Sequence, residues 1–185
     1  MTFDRPAMEI FLEAYCDLVR ELFVFGAPVV AALPGHAIAG GLIVAAAADE
    51  RIASAGRGEL GLSEVLLGVP VPQCLLEIFR HLLGARGMER LAAAGENLPV
   101  EAARSAGLVD QVVPPAELLD RAVERTQKLA ALPHAAHAAI KRRARTAALA
   151  RFDQARERDP FLDVWFGRDA QERIAALVAR LSRKA

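Results

Sequence analysis

Residues 27–48 form an apolar run long enough to imitate a membrane span, and the way it is interrupted decides what the chain can fold into. Pro34, Gly35 and His36 break it once, and the pair Gly40 and Gly41 breaks it again. A continuous buried helix tolerates neither break. A short buried strand over residues 28–33, a tight turn, and an alanine-rich helix opened by the two glycines and reaching about residue 48 fit every position. The expectation is an α/β chain rather than a membrane protein. No positively charged stretch precedes an apolar one at the start, so no secretory signal is read there.

The rest of the pattern alternates in the same way. Over residues 6–25, Met8, Phe11, Leu12, Tyr15, Leu18, Val19, Leu22 and Phe23 recur at helical spacing, and Gly26 stops them. Residues 49–54 read as a short strand and 55–58 as a loop. Residues 73–83 read as a helix closed by Gly84, and residues 88–94 as another closed by Gly95. A short helix over residues 99–106 begins at Pro99 and ends before Gly107, followed by a strand over 108–113. Beyond it the chain is helical: from Pro114 and Pro115 to about residue 132, from Pro133 to about 152, and from 170 to 181. Strands come early and helices dominate late, which predicts an α/β core over residues 1–113 and a helical region over 114–185.

Composition matters here mainly for what it excludes. Lysine plus arginine equals aspartate plus glutamate at 23 each, a formal net charge of +0, so no overall field attracts nucleic acid or an anionic membrane. Aromatics are 5% of the chain, and an alanine-rich apolar set suits closely packed helices. Cys16 and Cys74 show no paired-ligand spacing and read as small buried thiols of a cytoplasmic protein.

Two places carry potential chemistry. Gly40 and Gly41 at a helix start would let a ligand approach free backbone N–H groups; tight helix-on-strand packing explains the same dipeptide. Glu64 is a carboxylate in an otherwise apolar stretch, where desolvation would raise its pKa toward the range of a working base. It also reads as an ordinary first-turn glutamate with Ser63 as cap. His36, in the turn beside Gly40, reads as a site-lining residue or a satisfied turn residue. His134 and His137 lie three apart but lack a third ligand, so no metal site is expected. The basic segment 141–145, with Lys141, Arg142, Arg143 and Arg145, reads as a solvated helix face or, less simply, as a contact for phosphates.

Three ordered segments then carry a resemblance. APVVAALPGHAIAGG at residues 27–41 followed by ADERIA at 48–53, GLSEVLLG at 61–68, and PVEAARSAGLVDQVV at 99–113 together resemble the crotonase (enoyl-CoA hydratase/isomerase) superfamily. The resemblance implies a ββα spiral core with a C-terminal helical region that packs into a homotrimer or a dimer of trimers. It implies an acyl-CoA substrate and no cofactor beyond the coenzyme A that the thioester carries. The N–H of Gly40 would serve an oxyanion hole for the thioester oxygen, and Glu64 would be the catalytic glutamate. Gly41, His36, Ile43 and Trp165 would border the substrate, although Trp165 and Phe166 read equally as core.

Hydratases of this superfamily usually carry a second glutamate in the helix after the glycines, and that position here is Ile43. A single glutamate at Glu64 resembles the Δ3-Δ2-enoyl-CoA isomerase pattern, with a hydratase or a non-catalytic CoA-binding scaffold as alternatives. The family normally has further strands and an oxyanion loop before the segment matching residues 6–25. The chain is therefore expected to be N-terminally short, with exposed strand edges that invite association.

Overall fold

The computed structural model describes residues 4–56, 58–156 and 160–182. Helix α1 (Arg5–Val24) starts where the Asp4 carboxylate accepts the Ala7 N–H at 2.9 Å, with proline in its first turn. It buries Met8, Cys16, Val19 and Phe23, one stripe at helical spacing.

Two ββα turns follow. Strands β1 (Val30–Leu33) and β2 (Ala37–Ile38) lead into α2 (Gly40–Ala46). Strands β3 (Glu50–Ser54) and β4 (Glu59–Gly61) lead through a 3-10 helix, Glu64–Leu67, into α3 (Gln73–Ala94). The first strand of each turn joins one sheet and the second joins another. Parallel pairing sets Val30 opposite Glu50 in one sheet, and Ala37 opposite Leu60 in the other. Strand β5 (Asn97–Pro99) closes the small sheet antiparallel to β4. After α4 (Val100–Ser105), β6 (Gln111–Val113) adds to the first sheet, parallel to β3. The first sheet runs β1-β3-β6 and the second β2-β4-β5.

The helical remainder is α5 (Leu118–Ala130), α6 (His134–Arg156), α7 (Phe161–Trp165) and α8 (Arg168–Ser182). Ile52 and Val113 turn from the first sheet toward Leu118 and Ala122 of α5. On the opposite face of β3, Ala53 joins the main core with Leu42, Leu60, Leu75, Phe79 and Phe152. The Sγ atoms of Cys16 and Cys74 meet in that core at 3.5 Å. Among the described residues no helix is long and apolar enough to cross a membrane.

Several expectations need revision. Residues 73–94 run on as one helical stretch, but Gly84 is non-helical inside it (φ 71°, ψ 173°), so the predicted break is real. Gly95 closes it in the left-handed conformation. The strand expected over 108–113 is confined to its last three residues. Strands β2, β4, β5 and helix α7 go beyond the sequence reading, and Arg57 of the predicted loop lies outside the described residues.

The basic segment is the main correction: Lys141 and Arg145 are 8% and 9% exposed, not solvated. They lie four apart, on the face of α6 that continues through Ala148 and Phe152. Arg142 and Arg143 on the other face are exposed, as expected.

Candidate active site

The small sheet sets the geometry. Strands β2 and β4 are parallel neighbours, so the segments leaving their C-terminal ends emerge side by side. One delivers Gly40 and Gly41 at the start of α2; the other delivers Glu64 at the start of the 3-10 helix.

Ala39 makes the first turn. Its N–H donates to the Gly61 carbonyl at 2.9 Å, extending the ladder, and its carbonyl accepts the Ile43 N–H at 3.1 Å. Between these bonds its backbone sits at φ 52°, ψ −126°, a strained conformation for a residue with a Cβ. Because the Ala39 carbonyl points into the helix, the Gly40 N–H at the other end of that peptide points out of the N-terminus. The Gly41 N–H likewise has no intrahelical acceptor one turn back. A Cβ on Gly41 would meet nothing within 4 Å, so open space lies before it. Gly61 is glycine for a different reason: a Cβ there would stand 2.5 Å from the Glu96 carbonyl oxygen of the neighbouring strand end.

Glu64 sits on a short, braced helix. Its carbonyl accepts the Val69 N–H at 3.3 Å, and Gly68 ends the turn in the left-handed conformation. Next along, Leu67 and Val69 pack onto Phe161, Trp165 and Ala170. The Ser63 side chain makes no capping bond, so the ordinary capped-glutamate reading loses its support. Among the described residues the buried Glu64 Oε2 has no hydrogen-bond partner, and burial pushes the carboxyl pKa above its ordinary value. A carboxylate kept short of partners is a strong base for its type.

Tyr15, read only as part of the apolar stripe of α1, completes the group. Its hydroxyl donates to the Gly40 carbonyl at 2.7 Å. Burial, and then the charge of Glu64, push the phenol pKa up, which places the two side chains within electrostatic reach. A buried tyrosine hydroxyl needs a polar partner, and that need was the signal available in the sequence.

The other named positions are spread out. Ile43 is 2% exposed in the main core one turn after Gly40. His36 is exposed, with Nδ1 3.7 Å from the Glu59 carboxylate. Trp165 packs on Phe161 with ring centroids 5.6 Å apart, supporting the Glu64 segment from behind. His134 is exposed and His137 half-buried, and among the described residues no cluster of His, Cys, Asp or Glu suits a metal ion. A concavity of about 1010 Å³ lies elsewhere, between the second half of α3 and α4, lined by Leu83, Arg90, Leu98 and Ala102 among others. It is wide, and Glu64, Gly40 and Tyr15 are not in its wall, so the chemistry rather than the volume marks the site.

Known proteins carry the same arrangement of chain. The human mitochondrial enoyl-CoA delta isomerase 1 is 31% identical over 150 residues, 80% of this chain and 50% of that protein. The chain thus spans about half the length of the curated relatives it matches. The crystal structure of human mitochondrial delta3-delta2-enoyl-CoA isomerase superposes with a TM-score of 0.89 at 26% identity, covering 98% of this chain and 72% of that one. That of an enoyl-CoA hydratase from Mycobacterium ulcerans gives 0.81 at 28% identity, covering 90% and 72%. The family model for enoyl-CoA hydratase/isomerase matches residues 5–171, so the chain belongs to that family, within the crotonase superfamily.

Proposed function

We propose that this chain carries the acid–base centre of an enoyl-CoA isomerase. The Glu64 carboxylate removes a C2 proton from a 3-enoyl-CoA. The electron pair moves toward the thioester oxygen, where the Gly40 N–H stabilises the dienolate. Glu64 then returns the proton to C4, and the double bond ends between C2 and C3. One carboxyl suffices because the proton that leaves is the proton that returns. The observation that carries this reading is the Glu64 Oε2, buried and unpartnered, on the strand end next to the glycines of α2. The aliphatic Ile43 supports isomerisation over hydration, since activating water usually takes a second glutamate there.

The reaction as written needs no cofactor beyond the coenzyme A of the substrate. In a complete assembly Gly41 and His36 would border the thioester, and residues 114–185 would serve a homotrimer or a dimer of trimers. The exposed Val178 and Leu181 of α8 suit that use. A cytoplasmic setting and a place in fatty-acid breakdown accord with this reading.

The test is direct: supply a 3-enoyl-CoA and follow the absorbance of the conjugated 2-enoyl thioester. Hydration of a 2-enoyl-CoA without double-bond transfer would favour the hydratase reading, and tight CoA binding with neither reaction a binding module. A pH dependence is also expected. The base works only when ionised, so kcat should rise with pH through a midpoint above the ordinary glutamate value of 4.5, because burial favours the protonated form. A pH–rate profile already flat at pH 5 would contradict a desolvated base.

A further inference from the structure

Three successive peptides lead into the proposed oxyanion site, and hydrogen bonds hold each of them. The 38–39 peptide donates through Ala39 N–H to Gly61, and the 39–40 peptide accepts from Ile43 N–H through the Ala39 carbonyl. For the 40–41 peptide the additional hold is a side chain: the Tyr15 hydroxyl on the Gly40 carbonyl. Two adjacent glycines are the most freely rotating dipeptide a chain offers, so an external hold there has more to restrain than elsewhere.

The packing around Tyr15 serves this contact. Its ring stacks on Phe11, with centroids 6.0 Å apart and planes 10° from parallel, which sets the direction of the hydroxyl. A Cβ on Gly40 would come 3.2 Å from the hydroxyl oxygen, so glycine at 40 leaves the room the phenol uses.

We propose that Tyr15 is a positioning residue for the enolate: by holding the Gly40 carbonyl it fixes the 40–41 peptide and keeps the Gly41 N–H aimed at the thioester oxygen, beside the Gly40 N–H that the 39–40 peptide carries. Carbonyl and N–H are the two ends of one planar peptide, so a bond accepted at the Gly40 oxygen both orients and polarises the Gly41 N–H. The phenol stays protonated, and therefore a donor, through the working pH range, since burial and the Glu64 charge both oppose its ionisation. Tyr15 moves no proton in the reaction. This assignment rests on the enolate reading of Glu64 and α2.

The experiment compares wild type with Tyr15→Phe, which keeps the ring and removes only the hydroxyl. Expected are a fall in kcat of about tenfold, KM within about twofold, and little change in Tm. A readout free of turnover is the near-ultraviolet absorbance of the enolate formed by bound acetoacetyl-CoA. That band should weaken at saturation in Tyr15→Phe, a change that a merely structural role would not produce. Tyr15 is also the chain's single tyrosine, so 3-fluorotyrosine labelling gives one fluorine resonance, which should shift when acetoacetyl-CoA binds wild-type protein. That measurement serves even if the phenylalanine variant folds poorly.

An undiminished enolate band with kcat within twofold of wild type overturns the proposal. So does a fluorine resonance unmoved at saturation, or a loss appearing only as lower Tm and higher KM. No enolate band and no turnover in wild type would overturn the enolate reading itself, and Tyr15's role with it. The two failures are distinct because the first leaves the enolate band and turnover of wild type in place and the second removes them.

Discussion

Glu64→Gln should lower isomerase turnover by about 10²–10⁴-fold and, at neutral pH, make the folded chain more stable. Both effects have one cause. The carboxyl is desolvated and its Oε2 has no partner, so its ionised form is disfavoured in the fold. For catalysis that is useful, since a base short of solvation takes a proton readily. For stability it is a cost. The folded-state pKa is raised above 4.5, so between that value and the raised one the native state binds more protons than the unfolded state. Stability therefore falls as pH rises through that window, and the whole penalty is present above it. Glutamine has nearly the same shape and no charge, and so escapes the penalty, although its amide also lacks a ready partner. Melting temperatures should be higher for the variant at pH 7–8, with the gap closing as pH falls below 4.5, where Glu64 becomes protonated in both states. Turnover within tenfold of wild type would remove Glu64 from the mechanism. A stability gap independent of pH would remove desolvation as its cause.

The same contrast explains what could be read from the sequence. Gly40 and Glu64 stand out locally: paired glycines at a helix start, and a lone acid among leucines. Their roles as a pair depend on strands β2 and β4, of two and three residues, too short to show the alternation by which strands are recognised. Helix α1 was legible because its apolar stripe runs over several turns, and Gly84, Gly95 and Gly107 mark breaks through positive φ. Tyr15 looked like one more apolar position of α1, since its partner is a backbone carbonyl 25 residues away. The α6 cations looked solvated for the same reason. Charge runs usually face water, and nothing near 141–145 announces an acid 92 residues earlier.

That acid is Asp49, and replacing it should have the largest effect on folding. Its side chain is 15% exposed and meets Lys141 at 2.8 Å and Arg145 at 3.0 Å, while its Oδ2 also accepts the Val29 N–H at 2.8 Å. Among the described residues the other hydrogen-bond acceptors of the two cations are neutral. Arg145 reaches the carbonyls of Phe23 in the last turns of α1 and of Ala47 and Ala48 after α2, and Lys141 that of Ala27. Helix C-termini favour positive charge, which is why α6 can dock its basic face there at all. Burial nonetheless lowers the pKa of both cations, and Asp49 is the ionic partner that opposes it. Asp49→Ala would leave two buried positive charges without an ionic partner, a loss of about 3–5 kcal/mol. For a chain of this size that corresponds to a fall in Tm of about 10 °C. Two further signs identify the cause. Removing one cation as well, in Asp49→Ala with Lys141→Met, should recover part of the loss, because the lysine is a liability once unpaired. The single variant should also regain stability as pH rises, since a lysine whose folded pKa is lowered binds fewer protons folded than unfolded. Because Arg145 grips the carbonyls that follow α2, the helix whose first residues are Gly40 and Gly41, loosening this cluster should disturb the site from its far end. Calorimetry of wild type, single and double variants from pH 6 to 9 decides the matter: a Tm change under 2 °C in Asp49→Ala would show that the carbonyls alone suffice to hold the buried charge, and a full loss with no recovery in the double variant would show that the unpaired lysine is not its cause.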